Sequence, residues 1–178
     1  SKANMASMNP DLFWSTVNYG FHYQYMHNTL QLNRRIQGNK PFFSNISRLS
    51  GISSTDWSWG PLLADFDNDG WKDLFISNGI RREINNKDYF NDIKLRPMAK
   101  DSLLYYTNQI PSEPIANFTF RNNSDLTFSD VSKDWGLDDA NFSNGATYAD
   151  LDNDGDLEII INNVDQEAQI YKLSLIHI

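Results

Sequence analysis

Two apolar runs stand out along the chain, Leu74-Phe75-Ile76 and Ile159-Ile160-Ile161. Short continuous runs of β-branched and aromatic residues, bounded by turn residues, predict buried strands. Each run follows a polar loop, and each loop follows another strand-like segment, Trp59–Ala64 or Gly145–Ala149. The pattern therefore predicts two hairpins, whose second strands are Asp73–Ser77 and Glu158–Asn162. Further strands are expected over Asn28–Arg34, Phe42–Ile46, Asn117–Asn122, Thr127–Val131 and Gln169–Lys172. A turn through Gly38-Asn39-Lys40-Pro41 joins the first two of these. Phe21, Tyr23 and Tyr25 alternate with other residues and predict a short strand or an extended packing segment within residues 1–27. Such an aromatic stripe reads as core packing rather than as a binding surface.

The period changes in residues 78–116. Tyr89, Phe90 and Ile93, then Leu103, Leu104, Tyr106 and Ile110, recur at roughly helical spacing. Two short helices are expected, with Pro97 in the first turn of the second. An insertion of this length either carries function or covers an exposed sheet edge. The second role is the expectation here.

The loops between the hairpin strands carry the chemistry. The first reads D-F-D-N-D-G-W-K-D-L, Asp65 to Leu74, and the second D-L-D-N-D-G-D-L-E-I, Asp150 to Ile159. Acidic residues hold the first, third, fifth and ninth positions: Asp65, Asp67, Asp69 and Asp73, then Asp150, Asp152, Asp154 and Glu158. Carboxylates crowded so closely repel one another, and a divalent cation removes the repulsion. Calcium takes about six to eight oxygen ligands, which alternate residues of a curled loop can supply. Gly70 and Gly155, at the sixth position, permit the sharp turn. Trp71 and Asp156, at the seventh, would offer backbone carbonyls. Magnesium suits the pattern less, because it keeps its waters and demands octahedral geometry. Asn-Asp-Gly between apolar runs is a hairpin signal by itself, but two loops with one acidic frame exceed what a turn requires. An EF-hand needs Glu at position twelve, where this chain has Ile76 and Ile161.

The duplication extends beyond the loops at a constant offset of 85 residues. Phe43-Ser44-Asn45-Ile46-Ser47 matches Phe128-Ser129-Asp130-Val131-Ser132, Gly51-Ile52 matches Gly136-Leu137, and Trp57-Ser58-Trp59-Gly60 matches Phe142-Ser143-Asn144-Gly145. No gap is needed from Phe43 to Ile159, the mark of a repeat architecture. F-S-D-V-S, then G-L, then S-N-G-A-T-Y-A-D-L-D-N-D-G-D-L-E-I resembles the FG-GAP/VCBS repeat. That repeat builds β-propeller blades in integrin α-subunits, cartilage acidic protein and bacterial surface proteins. The resemblance covers about Leu30–Ile80 and Asn117–Lys172. It implies an all-β fold, a partial β-propeller of about two blades with a short helical insertion, and two calcium sites. Glu158 departs from the family's usual Asp, so its longer arm is expected to weaken or reshape the second site.

On this reading residues 1–27 extend a preceding blade. Residues 28–77 hold the outer strands of one blade and the inner hairpin of the next. Residues 78–116 are the helical insertion, and residues 117–172 complete one blade and begin another. Propellers close with about four to eight blades, so further blades of a longer chain are expected to complete the ring. Leu173–Ile178 reads as a non-native tail, which makes the chain a fragment.

Composition narrows the partners. The chain has 178 residues, a net charge of −8 and no cysteine, so disulfides and thiol chemistry are excluded. No Lys/Arg cluster suggests nucleic acid, no apolar run is long enough to span a membrane, and no charged-then-apolar leader is visible at Ser1. Open calcium loops work best where calcium reaches about 10⁻⁴–10⁻³ M, so an extracellular, cell-surface or periplasmic location is expected. His22, His27 and His177 lack carboxylate or metal-ligand spacing, and no nucleophile elbow or phosphate loop is present. The expectation is a non-catalytic calcium-binding repeat module that serves as scaffold or recognises a protein or glycan. The alternative is part of a glycan hydrolase or lyase with its catalytic residues elsewhere.

Overall fold

The computed structural model describes residues 10–23, 25, 27–37, 40–84, 86–95 and 103–173. Gly38 and Asn39 of the expected turn, Pro97 and the tail residues 174–178 lie outside the described residues. The chain divides into two compact units, Ser1–Met26 with Ile80–Pro114, and His27–Gly79 with Ile115–Ile178. Both repeat copies fall in the second of these units.

The second unit is built of antiparallel strands. β1 (Gln31–Gln37) pairs with β2 (Lys40–Asn45) as a two-stranded sheet. β3 (Ser58–Ala64), β4 (Asp73–Asn78), β6 (Phe118–Asn122) and β7 (Phe128–Asp130) form a four-stranded sheet in the order β3-β4-β6-β7. β9 (Ser143–Ala149), β10 (Glu158–Asn163) and β11 (Gln169–Lys172) form a three-stranded sheet with β10 central. The short strands β5 (Ile115–Ala116) and β8 (Ala140–Asn141), too brief to leave a pattern in the sequence, pair with each other. Every pairing is antiparallel, so the all-β expectation holds at that level. The first strand begins at Gln31 rather than Asn28. The Asn28 side chain instead donates to the Ile52 carbonyl at 3.2 Å and to the Thr55 hydroxyl.

All six residues of β4 are buried. Side chains alternate across a strand, and the two faces of β4 enter different clusters. Phe75 joins Ala64, Phe66, Leu137, Ile159 and Ile161, which fastens the four-stranded sheet to the three-stranded one. Leu74 and Ile76 join Ile52 and Phe120, with Leu30 packed beside them. β4 thus packs on the three-stranded sheet through one face and on Ile52 and Leu30 through the other. Gly79 closes the strand at φ +126°. A Cβ there would stand 2.9 Å from the Asn141 carbonyl oxygen and the Phe142 Cα, so only glycine fits.

In the first unit the two expected helices are present as α2 (Lys87–Lys94) and α3 (Leu103–Asn108). The Asn86 carboxamide oxygen caps α2 by accepting from the Tyr89 amide at 3.0 Å, and the Tyr89 hydroxyl donates to the Tyr106 carbonyl of α3. A further helix, α1 (Pro10–Asn18), was not expected, although Pro10 and Asp11 are good first-turn residues. Of the two expectations for Phe21–Tyr25, a short strand or an extended packing segment, no strand is found among the described residues, and the core-packing role is corrected. Phe21, Tyr23 and Tyr25 are 64%, 59% and 61% exposed rather than core residues. Tyr23 and Tyr25 stack on each other instead, centroids 6.1 Å apart. Alternation alone supplied no neighbouring strand to pair with.

Candidate metal centre

The two loops share four hydrogen bonds from backbone amides to loop carboxylates. The first-position carboxylate turns inward and accepts from the amides of the fifth and sixth residues. Asp65 takes Asp69 and Gly70 at 3.1 and 2.9 Å, and Asp150 takes Asp154 and Gly155 at 3.2 and 3.1 Å. The fifth-position carboxylate accepts from the seventh amide, 2.7 Å for Asp69 from Trp71 and 3.0 Å for Asp154 from Asp156. The ninth-position carboxylate reaches back to the second amide, 3.0 Å for Asp73 from Phe66 and 2.8 Å for Glu158 from Leu151. Gly70 and Gly155 take φ +90° and +93°. Asn68 and Asn153, at the fourth position, also turn left-handed at +56° and +60°, which asparagine tolerates better than most residues.

This curl brings three of the four acidic positions together in each copy. Oxygens of Asp65, Asp67 and Asp73 lie within 4.8 Å of one another, as do those of Asp150, Asp152 and Glu158. Asp69 and Asp154 stay outside these sets and serve as backbone caps. Two acidic clusters that could hold a metal ion are thus formed, and the carboxylates of both are hard oxygen donors, which suit a hard dication rather than a softer metal.

The ninth positions differ in a telling way. Asp73 has no exposed surface. Its second oxygen accepts from the Asn122 amide at 2.9 Å. Burial, only partly offset by the Asn122 and Phe66 amides, pushes the Asp73 carboxyl up to about 6. Burial and the neighbouring Asp69 also raise Asp67. Glu158 is 4% exposed, and its Oε1 has no hydrogen-bond partner. An unpartnered buried carboxylate oxygen is costly, and a cation at the cluster would remove that cost. The residues present therefore fit a bound dication. Asp65, Asp67 and Asp73 would hold one, and Asp150, Asp152 and Glu158 another.

Several neighbours carried no signal in the sequence. Asn68 Nδ2 donates to Asp156 Oδ1 at 2.8 Å and ties the first loop to the second across 88 positions. Beside the first loop, Asp69, Trp71, Arg121, Asn122, Asn123 and Ser124 line an open polar cleft of about 390 Å³. In the second loop the Lys172 ammonium donates to Asp152 and, at 2.7 Å, to Asp154, and this contact holds the Asp154 carboxyl below its usual range. Cross-strand register, which only the structure fixes, sets Lys172 of β11 opposite Glu158.

No protein-family model and no curated protein matches the chain. Among the described residues, no helix is long and apolar enough to cross a membrane.

Proposed function

We propose that the chain is a non-catalytic segment of a calcium-stabilised β-propeller of FG-GAP/VCBS type, acting as a scaffold or recognition surface in an extracellular, cell-surface or periplasmic protein. The observation that carries this reading is the convergence of three carboxylates at the same loop positions in both copies. The run of two-, four- and three-stranded antiparallel sheets also supports it, because a meander of about four strands is the blade of a propeller. Calcium at each loop would pin the hairpin β3–β4 or β9–β10 and tie folding to metal uptake. Trp71, 52% exposed at the cleft beside the first loop, offers an aromatic surface for a protein or glycan ligand.

The test is thermal unfolding with calcium and with chelator. A ligand at about 100 times its Kd stabilises by about 2.7 kcal/mol. For a chain of this size that raises Tm by roughly 5–10 °C. Asp67→Ala combined with Asp152→Ala should abolish most of the rise. Identical melting curves at millimolar calcium and in chelator would overturn the reading.

A further inference from the structure

Lys172 occupies the second loop in a way that nothing matches in the first. We propose that its ammonium group is a built-in counter-ion, which calcium must displace from Asp152 and Asp154 before it can occupy the second loop. The two loops would then differ in calcium affinity. The inference rests on the calcium reading above and deepens it.

Register places the group. Glu158 pairs with Lys172 across β10 and β11, so the lysine stem rises beside the ninth loop position. Its Nζ reaches the third- and fifth-position carboxylates, Asp152 and Asp154. An ammonium ion offers three donors and a compact charge. It neutralises crowded carboxylates much as a metal would, but it cannot gather six or more oxygens. The consequence is visible at Glu158. With Lys172 seated on Asp152 and Asp154, Glu158 Oε1 still lies buried without a partner. Lys172 therefore satisfies the outer part of the cluster and leaves its buried part wanting a cation. A dication set among Asp150, Asp152 and Glu158 would meet that need, but it would share Asp152 with Lys172 and repel its charge.

Among the described residues no ion pair of this kind forms at the first loop, where the nearby Arg121 acts on Asp67 only through its charge. Leu74 pairs with Phe120, which brings Arg121 to the register position opposite Asp73. Arg121 borders the open cleft with Asp69 and Trp71, and among the described residues no ion pair joins it to a loop carboxylate. The Lys172 side chain is 48% exposed, so it can swing into water when calcium enters. In the absence of calcium it holds the second loop in its curled form.

The experiment uses the full chain with the first loop silenced by Asp67→Ala, and calcium chloride titrated calorimetrically. Adding Lys172→Met should tighten calcium binding about fivefold, the scale of a solvent-exposed charge interaction. It should also lower the melting temperature in chelator. An unchanged or weaker affinity overturns the proposal. A second readout needs no variant. In the intact chain the Lys172 side-chain carbon resonances should move in step with occupancy of the second loop, and resonances that stay fixed while two ions bind overturn the proposal. If the parent chain takes up no calcium at either loop, the calcium reading falls and this inference with it. If the parent binds two ions and Lys172→Met changes nothing, only this inference falls.

Discussion

At the residue scale the two ninth-position carboxylates, Asp73 and Glu158, make different predictions. Burial pushes the Asp73 carboxyl up to about 6, above the usual carboxylate range of about 4. A carboxyl raised on folding leaves the native chain holding an extra proton, so its contribution to stability is full below about pH 4 and lost as pH rises through about 6. In chelator, Tm should therefore fall across that window, and saturating calcium should remove the fall by stabilising the ionised form. In the same window calcium affinity at the first loop should weaken as pH drops, because the ion and the proton compete for Asp73. Calorimetric titration at pH 5 and pH 7 measures this. For Glu158, Glu158→Gln keeps an acceptor for the Leu151 amide and removes a buried charge. Its melting temperature in chelator should rise by a few degrees while calcium binding at the second loop drops about tenfold or more, since a ligand oxygen carrying charge is gone.

At the element scale, β4 shows how far pattern reading reaches. The run Leu74-Phe75-Ile76 announced a buried strand, and all six residues from Asp73 to Asn78 are buried. What the run did not announce is that Phe75 and its neighbours serve two separate clusters. Phe75 has no exposed surface and bridges the four- and three-stranded sheets. Phe75→Ala should cost about 3–5 kcal/mol, measured by urea unfolding, a large share of the roughly 5–15 kcal/mol that domains possess. The loops were equally legible. The sixth-position glycines take the positive φ that their spacing demanded. The helix Pro10–Asn18 was missed although Phe13, Trp14 and Val17 stand at helical spacing, because the apolar residues Leu12 to Val17 span less than two turns, too short to set a period. The aromatic alternation at Phe21–Tyr25 misled for the converse reason. A strand needs a partner ladder, and alternation says nothing about whether one exists.

At the scale of the whole molecule, the repeat offset of 85 residues is a structural repeat. The turn before each hairpin is copied as well. The Asn45 side chain accepts from the Ser47 amide at 3.1 Å, and Asp130 accepts from Ser132 at 3.0 Å. Gly51 and Gly136 both adopt positive φ. Both copies lie in the unit His27–Gly79 with Ile115–Ile178. The calcium-dependent part of thermal unfolding is therefore expected to come from that unit. Chelator should leave the unit Ser1–Met26 with Ile80–Pro114, which holds none of the loop carboxylates, unmoved.

The sequence by itself determined the longer strands, the hairpin turns and the two acidic frames, because each is local. Period, glycine placement and carboxylate spacing act within about ten residues and need no knowledge of the rest. Only the tertiary structure decided which acidic positions converge, that Asp73 gains a second amide donor from Asn122 while Glu158 Oε1 gains none, and that Lys172 forms an ion pair on the second loop while, among the described residues, none forms on the first. Those outcomes depend on cross-strand register and burial between segments some 15 to 50 residues apart, where the side-chain pattern of either segment alone carries no information about its partner.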